Sequence, residues 1–364
     1  MEIRVHRAEL LSELVPMQGV VERRTTIPVL SHLLLRAEDG RLHLAATDLE
    51  VSLTSWCEGD VKEPGAIAIQ AKKLLEIVRA GAGDDVVLRM DQDGVLTILV
   101  GQSHFKIRGL EADDFPSLPS IGEAAPATVP FGLFRAMIGK VFFAISSEES
   151  RFQLSGALMK AEGDLLSLVA TDGHRLALVE STVDGVGEIE SVLVPRKALQ
   201  ELGRVEGEAL ELRRGEHHLS FTVGRRQLIC RILEGTFPDY QRVIATDNDK
   251  IVAVDRKLLS GVVSRVSLLT GDRSRAVRFE VDDEKLTLSA ANPDLGEARE
   301  DVPCDIDGGA LALGINPDYL AQFLSAVDTE RVRLELKDEA SQMVAKPIDG
   351  TDHRYLCVIM PIRL

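Results

Sequence analysis

The chain has 364 residues, 45 % of them hydrophobic and 27 % charged, and a formal net charge of −16. No run of about 18 consecutive apolar residues occurs, which excludes a helical membrane span. The acidic balance argues against a uniformly basic, nucleic-acid-coating surface. The four cysteines, Cys57, Cys230, Cys304 and Cys357, are far apart and form no CxxC pair, so reduced thiols in a cytoplasmic protein are expected.

In chain order, Met1-Glu2-Ile3-Arg4 opens as a strand, without the apolar core and cleavage site of a signal peptide. Arg7 to Met17 reads as a helix that Pro16 is expected to end or bend. The apolar run Leu42-His43-Leu44 leads into Ala46-Thr47-Asp48. Ala71 to Ala80 follows as a helix with Leu74, Leu75 and Val78 on one face. After the turn Asp93-Gly94, Val95 to Val100 reads as a strand. Phe115-Pro116 precedes a joint over residues 121–126 that is rich in Gly, Ala and Pro.

The second stretch begins with a helix, Phe131 to Phe142. Leu166 to Val169 leads into Ala170-Thr171-Asp172, and Pro195 to Arg204 forms another helix, Pro195 suiting its first turn. Leu219 to Val223 is a strand, and Phe237-Pro238 precedes a polar joint over residues 246–250. Asp255 to Ser267 is the fifth helix. Leu286 to Ala290 leads into Ala291-Asn292-Pro293-Asp294, and Asn316 to Val327 is the sixth helix, Asn316 capping it. The last ten residues, from Tyr355 on, stay apolar to the end, which suits a chain terminus that docks or helps to build a groove.

The same pattern is therefore written three times. Thr47 to Thr171 is a step of 124 residues and Thr171 to Asn292 a step of 121; the second helices of each stretch keep the same steps. This predicts an α+β fold of three tandem domains, residues 1–121, 122–246 and 247–364, each with two helices and antiparallel sheets. The six helices carry twelve basic and six acidic residues, a net +6, so with a total of −16 the rest of the chain carries −22. A basic helix lining inside an acidic exterior tolerates phosphates where the bare net charge does not.

No motif supports chemistry on the protein. Asp172 and His174, in Ala170-Thr171-Asp172-Gly173-His174-Arg175-Leu176-Ala177, could form an acid–base pair, but no G-x-S-x-G elbow or reactive cysteine motif accompanies them. Asp48 repeats the aspartate without the histidine, which marks the aspartate as structural. There is no P-loop, Gly81-Ala82-Gly83 lacks a dinucleotide fingerprint, and His217-His218 would point to opposite faces of a strand. No cofactor, metal site or catalytic residue is expected. The rival readings are an enzyme using Asp172 and His174 and a scaffold that never encircles DNA.

Thr26-Ile27-Pro28-Val29-Leu30, Thr47-Asp48-Leu49-Glu50, residues 170–177, Val194-Pro195-Arg196-Lys197, Phe237-Pro238-Asp239-Tyr240, Asn292-Pro293 and the ending Met360-Pro361-Ile362-Arg363-Leu364 occur in this order. Together they resemble the bacterial DNA polymerase III beta subunit family, the sliding clamps, over the full length. The resemblance implies a homodimer closed head to tail into a six-domain ring that encircles duplex DNA and confers processivity. It implies, as partners, the polymerase III catalytic subunit, the clamp loader, and other polymerases and repair proteins that insert a short peptide between the second and third domains.

The pocket positions matching the family are Leu154, Thr171, Gly173, His174, Arg175, Leu176, Pro238, Arg242, Val243, Val358, Met360, Pro361, Ile362, Arg363 and Leu364. The DNA-contacting positions are Arg24, Lys72, Arg196 and Lys197. A second DNA-contacting loop falls on residues 146–150, which here carry Glu148 and Glu149 where the family often has a neutral polar residue. The dimer interface falls on Phe105 and Ile107 against Leu268 and Leu269.

Overall fold

The computed structural model describes residues 1–364 except 23, 24, 123, 124, 149, 272–274, 283, 284, 351, 352 and 364. The first third contains β1 (Glu2–His6), α1 (Arg7–Val20), β2 (His32–Glu38), β3 (Arg41–Thr47), β4 (Val51–Glu63), β5 (Gly65–Gln70), α2 (Ala71–Ala80), β6 (Asp85–Met90), β7 (Val95–Val100) and β8 (Ser103–Arg108). The middle third contains β9 (Ala127–Pro130), α3 (Phe131–Val141), β10 (Gly156–Glu162), β11 (Leu165–Thr171), β12 (Arg175–Thr182), β13 (Ile189–Pro195), α4 (Arg196–Leu202), β14 (Ala209–Arg214), β15 (His218–Val223) and β16 (Arg226–Arg231). The last third contains β17 (Lys250–Asp255), α5 (Arg256–Val266), β18 (Val277–Val281), β19 (Lys285–Asn292), β20 (Gly296–Asp307), β21 (Leu311–Ile315), α6 (Pro317–Ala326), β22 (Arg331–Leu336), β23 (Met343–Ile348) and β24 (His353–Ile359). The element order thus repeats three times, as the sequence steps predict.

Strand pairing ties the repeats together within two compact units, one of Met1–Phe134 with Lys197–Ile232 and one of Arg135–Arg196 with Leu233–Leu364. In the first unit β8-β7-β6-β1-β4 continues into β16-β15-β14-β9. The joining ladder is β16 on β4, antiparallel, from Gln227 opposite Thr54 to Cys230 opposite Val51. In the second unit β13-β10-β11-β12 continues into β24-β23-β22-β17-β20-β19-β18-β21. There β24 lies on β12, from Arg175 opposite Ile359 to Ser181 opposite His353. The last strand of one repeat therefore extends the sheet of the repeat before it.

Among the described residues β5, β9, β13 and β21 each pair with one strand only, and two further edges stay open where the repeats would continue. β8 pairs only with β7. The first half of β20, through Pro303, pairs with β19 on one side, while its second half turns to β17. Unpaired strand edges offer a row of backbone donors and acceptors to another chain.

The helices form for local reasons. In α2, Leu74, Leu75 and Val78 are buried and the lysines face water. Asn316 caps α6 by accepting from the Asp318 amide at 2.9 Å, with Pro317 in the first turn, and Asp255 caps α5 through the Leu258 amide at 2.7 Å. Two expectations are corrected. Pro195 closes β13, and α4 starts at Arg196, because Pro195 pairs with Gly156 in the sheet. α1 runs through Pro16 to Val20. A proline lacks the amide that would bond the carbonyl four residues back, here that of Ser12; that carbonyl instead accepts from Arg226 Nη2 at 3.1 Å.

Close backbone approach explains one glycine. A Cβ on Gly156 would lie 2.2 Å from the Val194 carbonyl oxygen, whereas one on Gly139, inside α3, would meet nothing within 4 Å. Gly156→Ala is expected to destabilise by about 1–3 kcal/mol through overpacking, and Gly139→Ala to stabilise by up to about 1 kcal/mol through helix propensity. Urea midpoints of the two variants check both signs.

Candidate functional site

The Thr-Asp signature builds the same turn in two repeats. In the first, Thr47 Oγ1 accepts from the Leu49 amide at 3.0 Å and Asp48 Oδ1 from the amides of Glu50 and Val51. In the second, Thr171 Oγ1 accepts from the Gly173 amide at 3.1 Å and Asp172 Oδ1 from the amides of His174 and Arg175. The third position is left-handed in both, Leu49 at φ 78° and Gly173 at φ 90°. Side-chain oxygens that hold a turn in this way make the aspartate structural. The other carboxylate oxygen of Asp172 accepts from Arg175 Nε at 3.0 Å. With both oxygens of Asp172 so occupied, the turn has the geometry of a structural element, without a nucleophile beside His174.

Beside this turn lies an apolar cleft of about 120 Å³ in the second unit. Its walls are Leu154, Thr171, Gly173, Arg175, Leu176, Pro238, Val243, Val358 and Met360, all expected from the sequence, together with Tyr240, which was missed. Tyr240 stands two residues after Pro238 and edges onto Phe237 with ring centroids 6.4 Å apart. The floor is a buried cluster that includes Val169, Leu178, Leu193, Phe237, Val344 and Leu356. The chain end ties the two sides: the Met360 amide donates to the His174 carbonyl at 2.9 Å, and the Ile362 amide to the Gly314 carbonyl at 2.8 Å.

Other expected residues lie elsewhere. His174 is exposed and is not part of the wall. Arg242 is turned to solvent and pairs with Asp239 at 2.8 Å. Pro361, Ile362 and Arg363 line a separate hollow with Arg278, Leu313, Gly314 and Glu339. Leu364 lies outside the described residues. Arg175 is no free anchor for a ligand. Its guanidinium is only 9 % exposed and bonds Asp172, the Gln322 side chain and the Phe143 carbonyl. It also stacks over Tyr319 at 4.4 Å. It holds the second repeat to the third behind the cleft.

The basic helix residues divide in the same way. Arg196 donates to the Ile145 carbonyl at 2.8 Å and lies 4.6 Å over the Phe142 ring; burial, then the charge of Arg175, lowers its pKa. Lys197 donates to the Val20 carbonyl at 2.7 Å and pairs with Asp48. Both are thus held in internal bonds. Lys72 is 78 % exposed with a loose contact to Glu76 at 3.9 Å. Arg79, Arg135 and Lys257 are exposed, with no ion pair among the described residues. Arg24 and Glu149 lie outside the described residues, while Glu148 pairs with Arg151 at 3.3 Å. Phe105 and Ile107 are half-buried on the open strand β8, and Leu268 is 76 % exposed beside Leu269 in the single turn after α5.

Three family models match in tandem: the N-terminal domain of the DNA polymerase III beta subunit over residues 1–119, its central domain over 128–239 and its C-terminal domain over 241–363. The chain belongs to the DNA polymerase III beta subunit family. The beta sliding clamps of Pseudomonas aeruginosa and Caulobacter vibrioides are 35 % and 36 % identical to it over 374 aligned residues, with both chains covered in full. The crystal structure of a sliding clamp from Bartonella birtlesii bound to griselimycin covers both chains fully at 33 % identity and a TM-score of 0.95. The fold is the three-domain α+β clamp, with six α-helices among the described residues and antiparallel sheets. As a beta sliding clamp the chain is a non-catalytic subunit of DNA polymerase III, its processivity factor. Among the described residues no helix is long and apolar enough to cross a membrane, and no three His, Cys, Asp or Glu side chains gather to hold a metal.

Burial pushes the thiols of Cys57, Cys230 and Cys357 up to about 12, whereas Cys304 is half-exposed. A maleimide added to the native protein at neutral pH is expected to label Cys304 alone, and all four cysteines after denaturation. Intact mass and peptide mapping check this.

Proposed function

We propose that two copies of this chain close head to tail into a ring of six clamp domains, divided near residues 121 and 246. Duplex DNA passes through the ring without sequence preference. The observation that carries the reading is the pair of open strand edges. Two of the three repeat junctions are completed within one chain, β16 on β4 and β24 on β12. The third junction is present only as its two halves, β8 and the first half of β20. A second copy supplies the missing half of each, an arrangement that is head to tail and closes.

Internal equivalence predicts the register of that junction. The hairpin glycines Gly101 and Gly224 share φ near 60°, at 58° and 59°, so His104 matches Gln227. Arg299 matches Thr54 by its place in the hairpin ladder: Thr54 lies opposite Ala45, next to the buried Ala46, and Arg299 opposite Ser289, next to the buried Ala290. The ladder of Gln227 on Thr54 then becomes Phe105 opposite Ala298, Lys106 opposite Glu297 and Ile107 opposite Gly296 of the second copy. Large side chains meet small ones, beside an open hollow of about 610 Å³ whose small residues, Ala276, Ser289, Ala290, Ala291 and Ala298, are flanked by Arg278, Glu297 and Arg299. Lys106 meets an acid. Counted from the helix starts Arg7 and Arg256, Leu268 stands where Gly19 stands in the first repeat; Gly19 lies against Glu201, and the repeat step of 124 makes Ile77 the matching residue for Leu268.

The helix cations Lys72, Arg79, Arg135 and Lys257, with Arg24, face the DNA, while Arg196 and Lys197 brace the helix ends. A topological link needs only weak phosphate attraction, so the ring slides. The cleft at Leu176 and Met360 receives an apolar anchor of a short peptide, with Pro361, Ile362 and Arg363 beside it and His174 and Arg242 at the rim. At about 120 Å³ it is smaller than the roughly 300–1,000 Å³ of small-molecule pockets and suits a side chain. The catalytic subunit of the polymerase, the clamp loader and other polymerases and repair proteins dock there in turn. Each is thereby held at high effective concentration on the template. The setting is the bacterial cytoplasm.

Native mass spectrometry is expected to give twice the chain mass. Retention on nicked circular DNA with release upon linearisation supports the ring, and equal retention on both rejects it. Lys106→Glu is expected to weaken the dimer by about 3–10-fold, from the usual size of a cross-strand charge pair. Adding Glu297→Lys in the same chain restores it; no rescue rejects the register. Met360→Ala is expected to weaken a fluorescent clamp-binding peptide about tenfold or more, the usual size of a lost buried anchor, with the dimer mass unchanged.

A further inference from the structure

Glu13 of α1 is completely buried, and four side chains converge on its carboxylate. Arg226 grips it with two bonds, Nε to Oε2 at 2.8 Å and Nη2 to Oε1 at 2.9 Å. Ser55 of β4 donates at 2.6 Å and Ser12 at 3.0 Å. Arg225 reaches the same carboxylate at 3.5 Å and pairs with Glu9 one turn earlier. The chain's one tryptophan, Trp56, lies beneath: Arg41 sits 3.9 Å and Arg225 5.5 Å from its ring, and Arg225 also donates to the Trp56 carbonyl at 3.4 Å.

Arg225 completes the tip of the β15–β16 hairpin after the left-handed Gly224, and Arg226 opens β16 opposite Val223. They come from the second repeat, while Glu9, Glu13, Ser55 and Trp56 come from the first. Pro16 completes the receptor, because the Ser12 carbonyl that it leaves without a helix partner accepts from Arg226. A bidentate, charge-assisted grip is the stronger kind of hydrogen bond and fixes orientation as well as distance. Burial pushes the Glu13 carboxyl pKa up, but the bonds from Arg226 and Ser55 outweigh it and leave it lowered. The carboxylate is therefore charged at neutral pH.

We propose that Arg225 and Arg226 are a latch that locks the edge strand β16 onto the first repeat and makes this junction rigid. The short β16–β4 ladder alone is four residue pairs long; the latch holds its open end. The equivalent parts of the chain lack it. The tip of the first repeat's hairpin is Gln102-Ser103, and α5 carries Leu258 and Val262 where α1 carries Glu9 and Glu13. If the ring reading above holds, the junction between chains is the unlatched one, and opening is directed there; the latch itself does not depend on that reading.

The test is amide hydrogen exchange on the full chain. It compares Arg225→Gln with Arg226→Ser, which installs the first repeat's own tip, and separately Glu13→Gln. The expected result is exchange about tenfold or more faster at Val51–Thr54 and Gln227–Cys230, the scale of a lost charge-assisted bond, together with a shifted Trp56 emission. The β1–β6 ladder stays unchanged. Unchanged exchange at β16 and β4 in the tip variant, or an equal rise throughout the chain, overturns the latch. Should Glu13→Gln fail to fold, the tip variant decides alone, since both its side chains sit at a partly exposed turn. Native mass measured on the same samples reports on the dimer separately, so loss of the latch and loss of the ring are told apart.

Discussion

The backbone of an edge strand must find partners, and in this chain that requirement organises everything else. The last strands of the second and third repeats pair within their own sheets and also extend the sheet of the repeat before. Twice the chain satisfies this internally, with β16 on β4 and β24 on β12. Among the described residues, β8 of the first repeat and the first half of β20 in the third have no partner on their outer edge. In the proposed ring, assembly continues folding by the same kind of hydrogen bond, carried past the end of one polypeptide.

The junctions are alike in topology and different in chemistry. The first is tied by the buried Glu13 and the arginine pair, with Lys197 bridging Asp48 and the end of α1. The second is tied by Arg175, which is spent on Asp172, Gln322 and a backbone carbonyl. In both, one long cation reaches the Thr-Asp turn, Lys197 from a half-exposed position and Arg175 from a buried one. Where these groups are desolvated, removing one partner costs more than the pair contributes net. The cleft next to Arg175 gains a fixed wall from this arrangement, which keeps Leu176 and Thr171 in place whether or not the cleft is filled.

Much of this architecture was legible in the residues. The steps of 124 and 121 mark the repeats, the helix faces follow from apolar spacing, and Thr-Asp reads as a turn because short polar side chains bond nearby amides. Nine of the residues that line the cleft are positions the family resemblance implies. Most of what the residues hide is pairing between positions distant in sequence. Nothing local says that Arg196 and Lys197 turn inward, or that Arg226 meets Glu13 across 213 positions. Pro16 was the available clue: a proline inside an otherwise sound helix orphans a carbonyl, and something distant has to meet it. Tyr240 was missed because its motif was read for its proline and phenylalanine, with no account of which face the following turn presents.

The discontinuous make-up of the first unit has a consequence for synthesis. Residues 1–134 complete their sheet only with 197–232, which leave the ribosome much later. Until then β4 waits with Val51 to Thr54 uncapped on one flank, in a nascent polypeptide whose early part already carries its own apolar core. Exposed strand edges of that kind invite association with neighbouring nascent chains. Translation speed through the middle third therefore sets how long the chain is vulnerable before it protects itself.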